Sequence, residues 1–264
     1  MQSNRNLYNK INHQIGKVIH KYNLIQDGDR IFVAVSGGKD SLTMLYFLKE
    51  FQKKAPINFD ILAFHLEQGQ PGEDSRSLVE IFQEWNIPYC IEHQNTYRIV
   101  LEKTRPNKIY CSLCSRLRRG IIHRIANEMG YNVVALGHHR DDVIETLLLN
   151  LFFAGKFFTI KPIYYTKKEK LRIIRPLYSV SEDWIKLFVE SKGWKILPCN
   201  LCNNIMNSQR KRIKNILIDL SKEDSNIKNS IFGAIEKDFL KDANFESIFN
   251  LKNSNKNFSF SFKI

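Results

Sequence analysis

The chain has 264 residues, of which 43% are hydrophobic and 25% charged, so it can bury a sizeable core and is neither wholly disordered nor a disulfide-stapled miniprotein. Its longest apolar runs, such as 146–154, fall far short of the roughly 20 residues that span a bilayer, and its first residues lead into no apolar signal core, so a cytoplasmic protein without membrane attachment is expected. Lys and Arg number 40 against 27 Asp and Glu, a net charge of +13 that favours a polyanionic partner; AT-rich coding bias yields the same excess of Lys, so the basic residues carry an argument only once they have a location.

Leu7, Ile11, Ile15, Val18 and Ile19 recur at helical spacing between Asn4 and Tyr22, and Gln26-Asp27-Gly28-Asp29 ends that segment in a turn. Arg30 to Val35 reads as a buried strand that runs into Ser36-Gly37-Gly38, after which Leu42, Leu45, Tyr46 and Leu48 resume a helical period. The unit repeats: Phe59 to Leu66 is predicted as a strand, Ser75 to Trp85 as a helix, and Pro88 to Glu92 as a third strand. Past an irregular stretch around 103–108, Leu113 to Met129 should be helical. Asn132 to Leu136 should form a fourth strand ending in Gly137-His138-His139, and Asp141 to Phe153 the next helix. Ser181 to Lys192 carries an N-cap serine and a stop at Gly193, and Lys195 to Leu197 reads as a short strand. Helices are expected at 207–220 and 227–237, and 253–264 is an Asn, Ser, Phe and Lys-rich tail. Strands alternating with helices predict an α/β, doubly wound parallel sheet with helical additions at both ends. The expected division is an N-terminal extension at 1–28, a catalytic domain at 29–220 and a C-terminal helical segment and tail at 221–264.

Ser36-Gly37-Gly38-Lys39-Asp40-Ser41 stands between the first strand and its helix. Paired glycines let a phosphate approach the backbone, the helix start offers N–H groups and a positive dipole end, and Lys39 adds a point charge. The spacing is not that of the G-x-x-x-x-G-K-S/T loop. Gly137-His138-His139-Arg140-Asp141-Asp142 opens a second helix, where Asp141 or Asp142 can cap the helix or bind Mg²⁺. Cys111, Cys114, Cys199 and Cys202 form two C-x-x-C pairs, a spacing that suits tetrahedral zinc, with an iron–sulfur cluster as its rival. Cys90, inside an apolar strand, reads as a buried structural thiol.

The S-G-G-K-D-S block resembles the hallmark of the PP-loop ATP pyrophosphatase superfamily, with its adenine nucleotide alpha-hydrolase-like fold. Together with C-S-L-C-S-R-L-R-R-G, G-H-H-R-D-D and P-C-N-L-C in that order, it is similar to the tRNA 2-thiocytidine synthetase family. The resemblance runs from about Leu7 to about Leu220 and includes Ala55 to Phe59 and Arg175-Pro176-Leu177. One departure is visible: where the family continues L-C-G-S-Q, this chain reads Leu201-Cys202-Asn203-Asn204-Ile205.

The resemblance implies an ATP- and Mg²⁺-dependent enzyme that adenylates C2 of cytidine 32 in the tRNA anticodon loop and replaces its oxygen with sulfur, releasing AMP and pyrophosphate. It implies a 4Fe-4S cluster on Cys111, Cys114 and Cys202, with Cys199 not a ligand. ATP would be held by Ser36, Gly37, Gly38, Lys39, Asp40, Ser41, His65, Gly137, His138 and Asp141, and Asp40 and Asp141 would control metal and phosphate. A cysteine desulfurase would supply the sulfur. The basic clusters beside the two cysteine pairs, Arg116, Arg118 and Arg119, then Arg210 and Arg212, become a track for the RNA backbone. The alternatives are another PP-loop activity such as lysidine synthesis, or a zinc-stabilised RNA-binding protein without catalysis. A homodimer is compatible with the sequence, which does not set the oligomeric state.

Overall fold

The computed structural model of the chain describes residues 2–103, 111–168, 170–197 and 209–241. The chain divides into two compact units, 1–212 and 213–264. The first contains a six-stranded sheet built from β1 (Asp29–Ala34), β2 (Phe59–Glu67), β3 (Tyr89–His93), β4 (Val133–Ala135), β5 (Ile163–Tyr165) and β6 (Arg172–Ile174). Their order is β3-β2-β1-β4-β6-β5. All pairs are parallel except β5 with β6. The antiparallel pair at the far edge was not foreseen, because its strands are only three residues long and carry too little pattern to read.

Side chains alternate across the sheet as the two-residue period requires. Phe32, Leu62, Phe64, Leu66, Val134, Leu136 and Ile173 form a buried cluster with Ile122, Ile125 and Ala126 of α5 (Cys111–Glu128). Three helices pack together around α7 (Glu182–Lys192), the others being α1 (Gln2–Lys21) and α2 (Lys39–Lys54). There Phe47 lies 5.2 Å from Phe188, and Tyr46 lies 5.5 Å from Trp85 and 5.4 Å from Trp194. The crossover helix α3 (Arg76–Glu84) follows β2, and α4 (Thr96–Lys103) follows β3. Helix α4 precedes the irregular stretch around 103–108 and has no counterpart among the expected elements, since its 8 residues bury only Thr96 and Val100. The helix α6 (Arg140–Ala154) follows β4, and Ser181 and Gly193 cap α7 as predicted.

Lys195 to Leu197 form no strand; the segment is irregular, and Leu197 N–H donates to Gly37 O at 3.0 Å with its side chain against the same glycine. Cys90 is half-buried, in register with Phe64, and loss of solvent pushes its thiol pKa up. It is therefore less enclosed than an apolar strand suggests, because β3 is an edge strand. At the amino edge of the sheet Asp29 and Arg172 form a buried ion pair, and Asn132 Nδ2 and Gln26 N–H donate to the same carboxylate. The second unit holds the rest of α8 (Gln209–Glu223) and α9 (Ile227–Lys241). The tail at 253–264 lies outside the described residues.

Candidate active site

In a strand order of this kind the chain reverses its winding between β1 and β4, and ligands bind in the crevice beyond the carboxyl ends of those two strands. Both glycine motifs lie there. Gly37 has φ +81, and a Cβ at this position would sit 2.7 Å from Leu197. The turn therefore needs glycine for its conformation and for its contact. Ser41 Oγ ties the loop, donating to Gly38 O at 2.9 Å and accepting from Ser36 N–H at 3.1 Å and from Ser36 Oγ at 3.3 Å. Gly38 is the N-cap of α2 and provides no side-chain cap, so the first turn presents its N–H groups and dipole to an anion.

Gly137 joins the second motif to the first. A Cβ here would lie 3.2 Å from Asp40 C and Ser41 N, so the absence of a side chain lets the β4 turn seat against the start of α2. His139 caps α6, accepting from Asp142 N–H at 3.4 Å, and Asp142 accepts in return from His139 N–H at 3.2 Å. Its Nε2 lies 3.6 Å from Asp40 Oδ1.

Lys39 is held in a carboxylate pair, 2.9 Å from Asp40 and 3.2 Å from Glu182. Burial alone would lower its pKa, but Asp40 and Glu182 outweigh that and raise it, so the ammonium stays charged. Asp141 is 2% exposed, and its Oδ2 accepts from Glu182 N–H at 2.8 Å. The second motif thereby fixes Glu182, which in turn holds Lys39. Asp40 is the more exposed of the two carboxylates named for metal and phosphate control.

Arg175, 7% exposed, donates from Nε to His138 Nδ1 at 3.3 Å. Desolvation, with Arg175 next, lowers the His138 pKa to about 4, so the imidazole is neutral at physiological pH. Because Nδ1 accepts, Nε2 carries the proton. His65 is 3% exposed; its Nδ1 lies 2.8 Å from Val35 O, and its Nε2 is buried with no partner among the described residues.

Cys114, half-buried on α5, donates through Sγ to Gln68 Oε1 at 3.2 Å, just past the carboxyl end of β2. The side chain of Cys111 and all of Cys199 and Cys202 lie outside the described residues. Leu197, two positions before Cys199, is seated on Gly37, and Trp194 before it is locked among Tyr46, Trp85 and Phe188. Arg116 and Arg119 are exposed on α5 and Arg118 is half-buried. Arg210 lies along α6, 3.0 Å from Glu145 and 3.6 Å from Asp142, and Arg212 is exposed. Gln68, Glu182 and Leu197 do not stand out in the sequence, and Arg175 does so only within the Arg175-Pro176-Leu177 segment. The one available signal for Glu182 was its place just behind a serine cap.

The family described as the PP-loop domain matches residues 7–220. The chain is 44% identical over 230 residues to the tRNA-cytidine(32) 2-sulfurtransferase of Cronobacter sakazakii, covering 87% of this chain and 74% of that protein. It is 42% identical over 232 residues to the protein of the same name from Paraburkholderia xenovorans, covering 88% and 69%. Among solved structures it is similar to the U34-tRNA thiolase NcsA of Methanococcus maripaludis with its [4Fe-4S] cluster. The TM-score is 0.71 at 25% identity, over 90% of this chain and 80% of that one.

Proposed function

The chain belongs to the tRNA-cytidine(32) 2-sulfurtransferase family, built on a PP-loop domain, and from this premise we propose that it thiolates C2 of cytidine 32 in tRNA at the expense of ATP. The observation that carries the reading is that the carboxyl edge bearing the glycine turn also receives Cys114, through Gln68, and the chain that leads to the second cysteine pair, through Leu197.

The oxygen on C2 of cytosine is a poor leaving group. Its attack on the α-phosphorus of ATP releases pyrophosphate and leaves an adenylated base, and sulfur then displaces AMP. Gly37, Gly38 and the uncapped start of α2 bind phosphate oxygens, with Ser36 and Ser41 keeping the loop in shape. Lys39 leaves Asp40 and Glu182 for the triphosphate, whose charge is greater than that of either carboxylate. His138, held neutral, donates through Nε2–H to an oxygen that gains charge, without adding a cation of its own. The unpartnered His65 Nε2 is an acceptor for an amino or hydroxyl group of the nucleotide. Asp40 would hold Mg²⁺ on the phosphates, whereas Asp141 acts through Glu182 to position Lys39.

For the cluster, a half-buried thiol facing a neutral carboxamide fits a metal-ligand role better than an inert core cysteine. Cys111, Cys114 and Cys202 would hold it, and when bound a 4Fe-4S cluster supplies an iron position without a protein ligand, where sulfur from a cysteine desulfurase can be carried. An RNA partner is supported by the net charge and by residues 151–161, which contain Lys156 and Lys161 and no acid. In that stretch Phe152, Phe153, Phe157 and Phe158 are each more than half exposed, and Asn150 holds the loop by donating to Phe158 O at 2.9 Å. Exposed rings beside lysines suit unstacked loop bases. The reading places the protein in the cytoplasm with its tRNA, and no helix among the described residues is long and apolar enough to cross a membrane.

The test is anaerobic purification followed by incubation with tRNA, ATP and a sulfide source, with AMP, iron, labile sulfide and nucleosides measured together. We expect AMP release coupled to 2-thiocytidine, cluster loss in Cys202→Ala and a mild effect in Cys199→Ala. Stoichiometric zinc with no AMP release would overturn the reading, and the reverse cysteine result would overturn the ligand set.

A further inference from the structure

Gln68 is 7% exposed and fixed on both sides of its backbone. Its N–H donates to Glu73 Oε2 at 2.8 Å, and its carbonyl accepts from Tyr97 N–H at 3.0 Å. Its side-chain Oε1 lies 3.2 Å from Cys114 Sγ and 3.4 Å from Thr96 Oγ1, and Thr96 is itself 3% exposed. One amide oxygen thus serves two donors, a thiol and a hydroxyl. Neighbouring carboxylates are engaged elsewhere: Glu67 takes Ser75 and His93, and Glu73 takes the N–H groups of Gln68 and Gln70.

A cysteine bound to iron has lost its proton, so its sulfur can only accept. A carboxamide meets that change without moving its backbone. Turned over by 180°, it presents two N–H donors from the position of the oxygen, one for Sγ and one for Thr96 Oγ1, which accepts as readily as it donates. Glutamate at this position has no proton to give and sets a negative charge against the thiolate. Leucine fills the space with no donor.

We propose that Gln68 is the positioning residue for Cys114 in the cluster site, its carboxamide switching from acceptor of the thiol to donor to the iron-bound sulfur and so setting the reduction potential of the cluster. The inference rests on the reading of Cys114 as a cluster ligand. Hydrogen bonds to ligand sulfurs raise the potential of an iron–sulfur cluster by stabilising its reduced, more negative form.

The experiment uses the full chain, anaerobically purified and reconstituted, and reads iron and sulfide content, the reduced-cluster EPR spectrum and the midpoint potential. Gln68→Leu should keep its cluster while the one-electron reduction constant falls about tenfold, the worth of one hydrogen bond to a charged group, or about 59 mV. Gln68→Glu should fall further. Thr96→Val, which removes only the second anchor of the carboxamide, should shift the potential in the same direction by less, and it serves also if Gln68→Leu fails to fold. An unchanged potential and spectrum in the folded variants would overturn the proposal. Cys114→Ala separates the two readings. Cluster loss there with an unmoved Gln68→Leu removes only the present inference, whereas full cluster retention removes the ligand assignment and this inference with it.

Discussion

The two edges of one sheet carry charged groups out of water to opposite ends. At the amino edge, Asp29 and Arg172 pair across β1 and β6, Asn132 and Gln26 donate to the same carboxylate, and Arg172 Nε is buried with no partner among the described residues. At the carboxyl edge Lys39 lies between Asp40 and Glu182, the helix start carries no side-chain cap, and His65 Nε2 is buried without a partner. The first network is buried, pairs its opposite charges directly and ties β1 to β6. The second is charge-balanced yet displaceable, as a site must be if a triphosphate is to enter and leave.

Asp29→Asn separates the two edges most strongly. It leaves Arg172 as an uncompensated buried charge, and breaking a buried pair from one side costs about 3–5 kcal/mol. Urea unfolding should report that loss, while ATP affinity of the folded fraction stays unchanged. Weakened ATP binding in the folded fraction would show that the two edges are not separate. Lys39→Ala should do the reverse, cutting ATP-dependent AMP release by about 10²–10³-fold, as removal of one charge-stabilising donor does, while the unfolding midpoint falls by less than in Asp29→Asn, because Lys186 still pairs Glu182 and Asp40 is partly exposed.

Gly37→Ala tests the glycine turn at the carboxyl edge. It forces a side chain into a left-handed conformation and into contact with Leu197, a strain of about 1–3 kcal/mol confined to the turn. AMP release should fall together with the protection of the 194–197 segment in hydrogen exchange. Retained protection would show that Leu197 does not depend on the turn.

That coupling also marks the boundary of what the sequence could tell. Ser36 to Ser41 and Gly137 to Asp142 are legible because a strand, a glycine turn and a helix are local patterns with local causes. The same holds for the caps of α7, since Ser181 and Gly193 act on adjacent backbone. The seat of Leu197 on Gly37 is not legible, because Ile196 and Leu197 look like the start of a strand until the fold supplies a partner from a position far upstream. Arg175 on His138 and Gln68 on Cys114 are hidden for the same reason: each is a long-range bond between residue types that are common in loops.

A milder probe moves outward from the carboxyl edge. Phe157→Ala and Phe158→Ala remove exposed rings that touch neither edge network. Each should raise KM for tRNA by about 5- to 150-fold, the effect of 1–3 kcal/mol of base stacking, and leave ATP affinity and fold intact. A change in sedimentation in place of KM would assign these rings to self-association.

The smallest effect is a pH dependence at His138. Its folded pKa is about 4, below the ordinary value of 6.5, so between these values the unfolded chain binds a proton that the folded chain refuses. Stability is then complete above about pH 6.5 and declines as pH falls toward 4. Partial exposure of His138 and the nearby carboxylate of Asp142 keep the slope shallow. His138→Gln retains a group that can accept from Arg175 yet does not titrate, so its urea midpoint should fall less than that of the parent chain between pH 6.5 and 5. Because His138 is neutral throughout that range, the acid limb of activity must come from another group, and a limb that moves in His138→Gln would show that the imidazole titrates at the site after all.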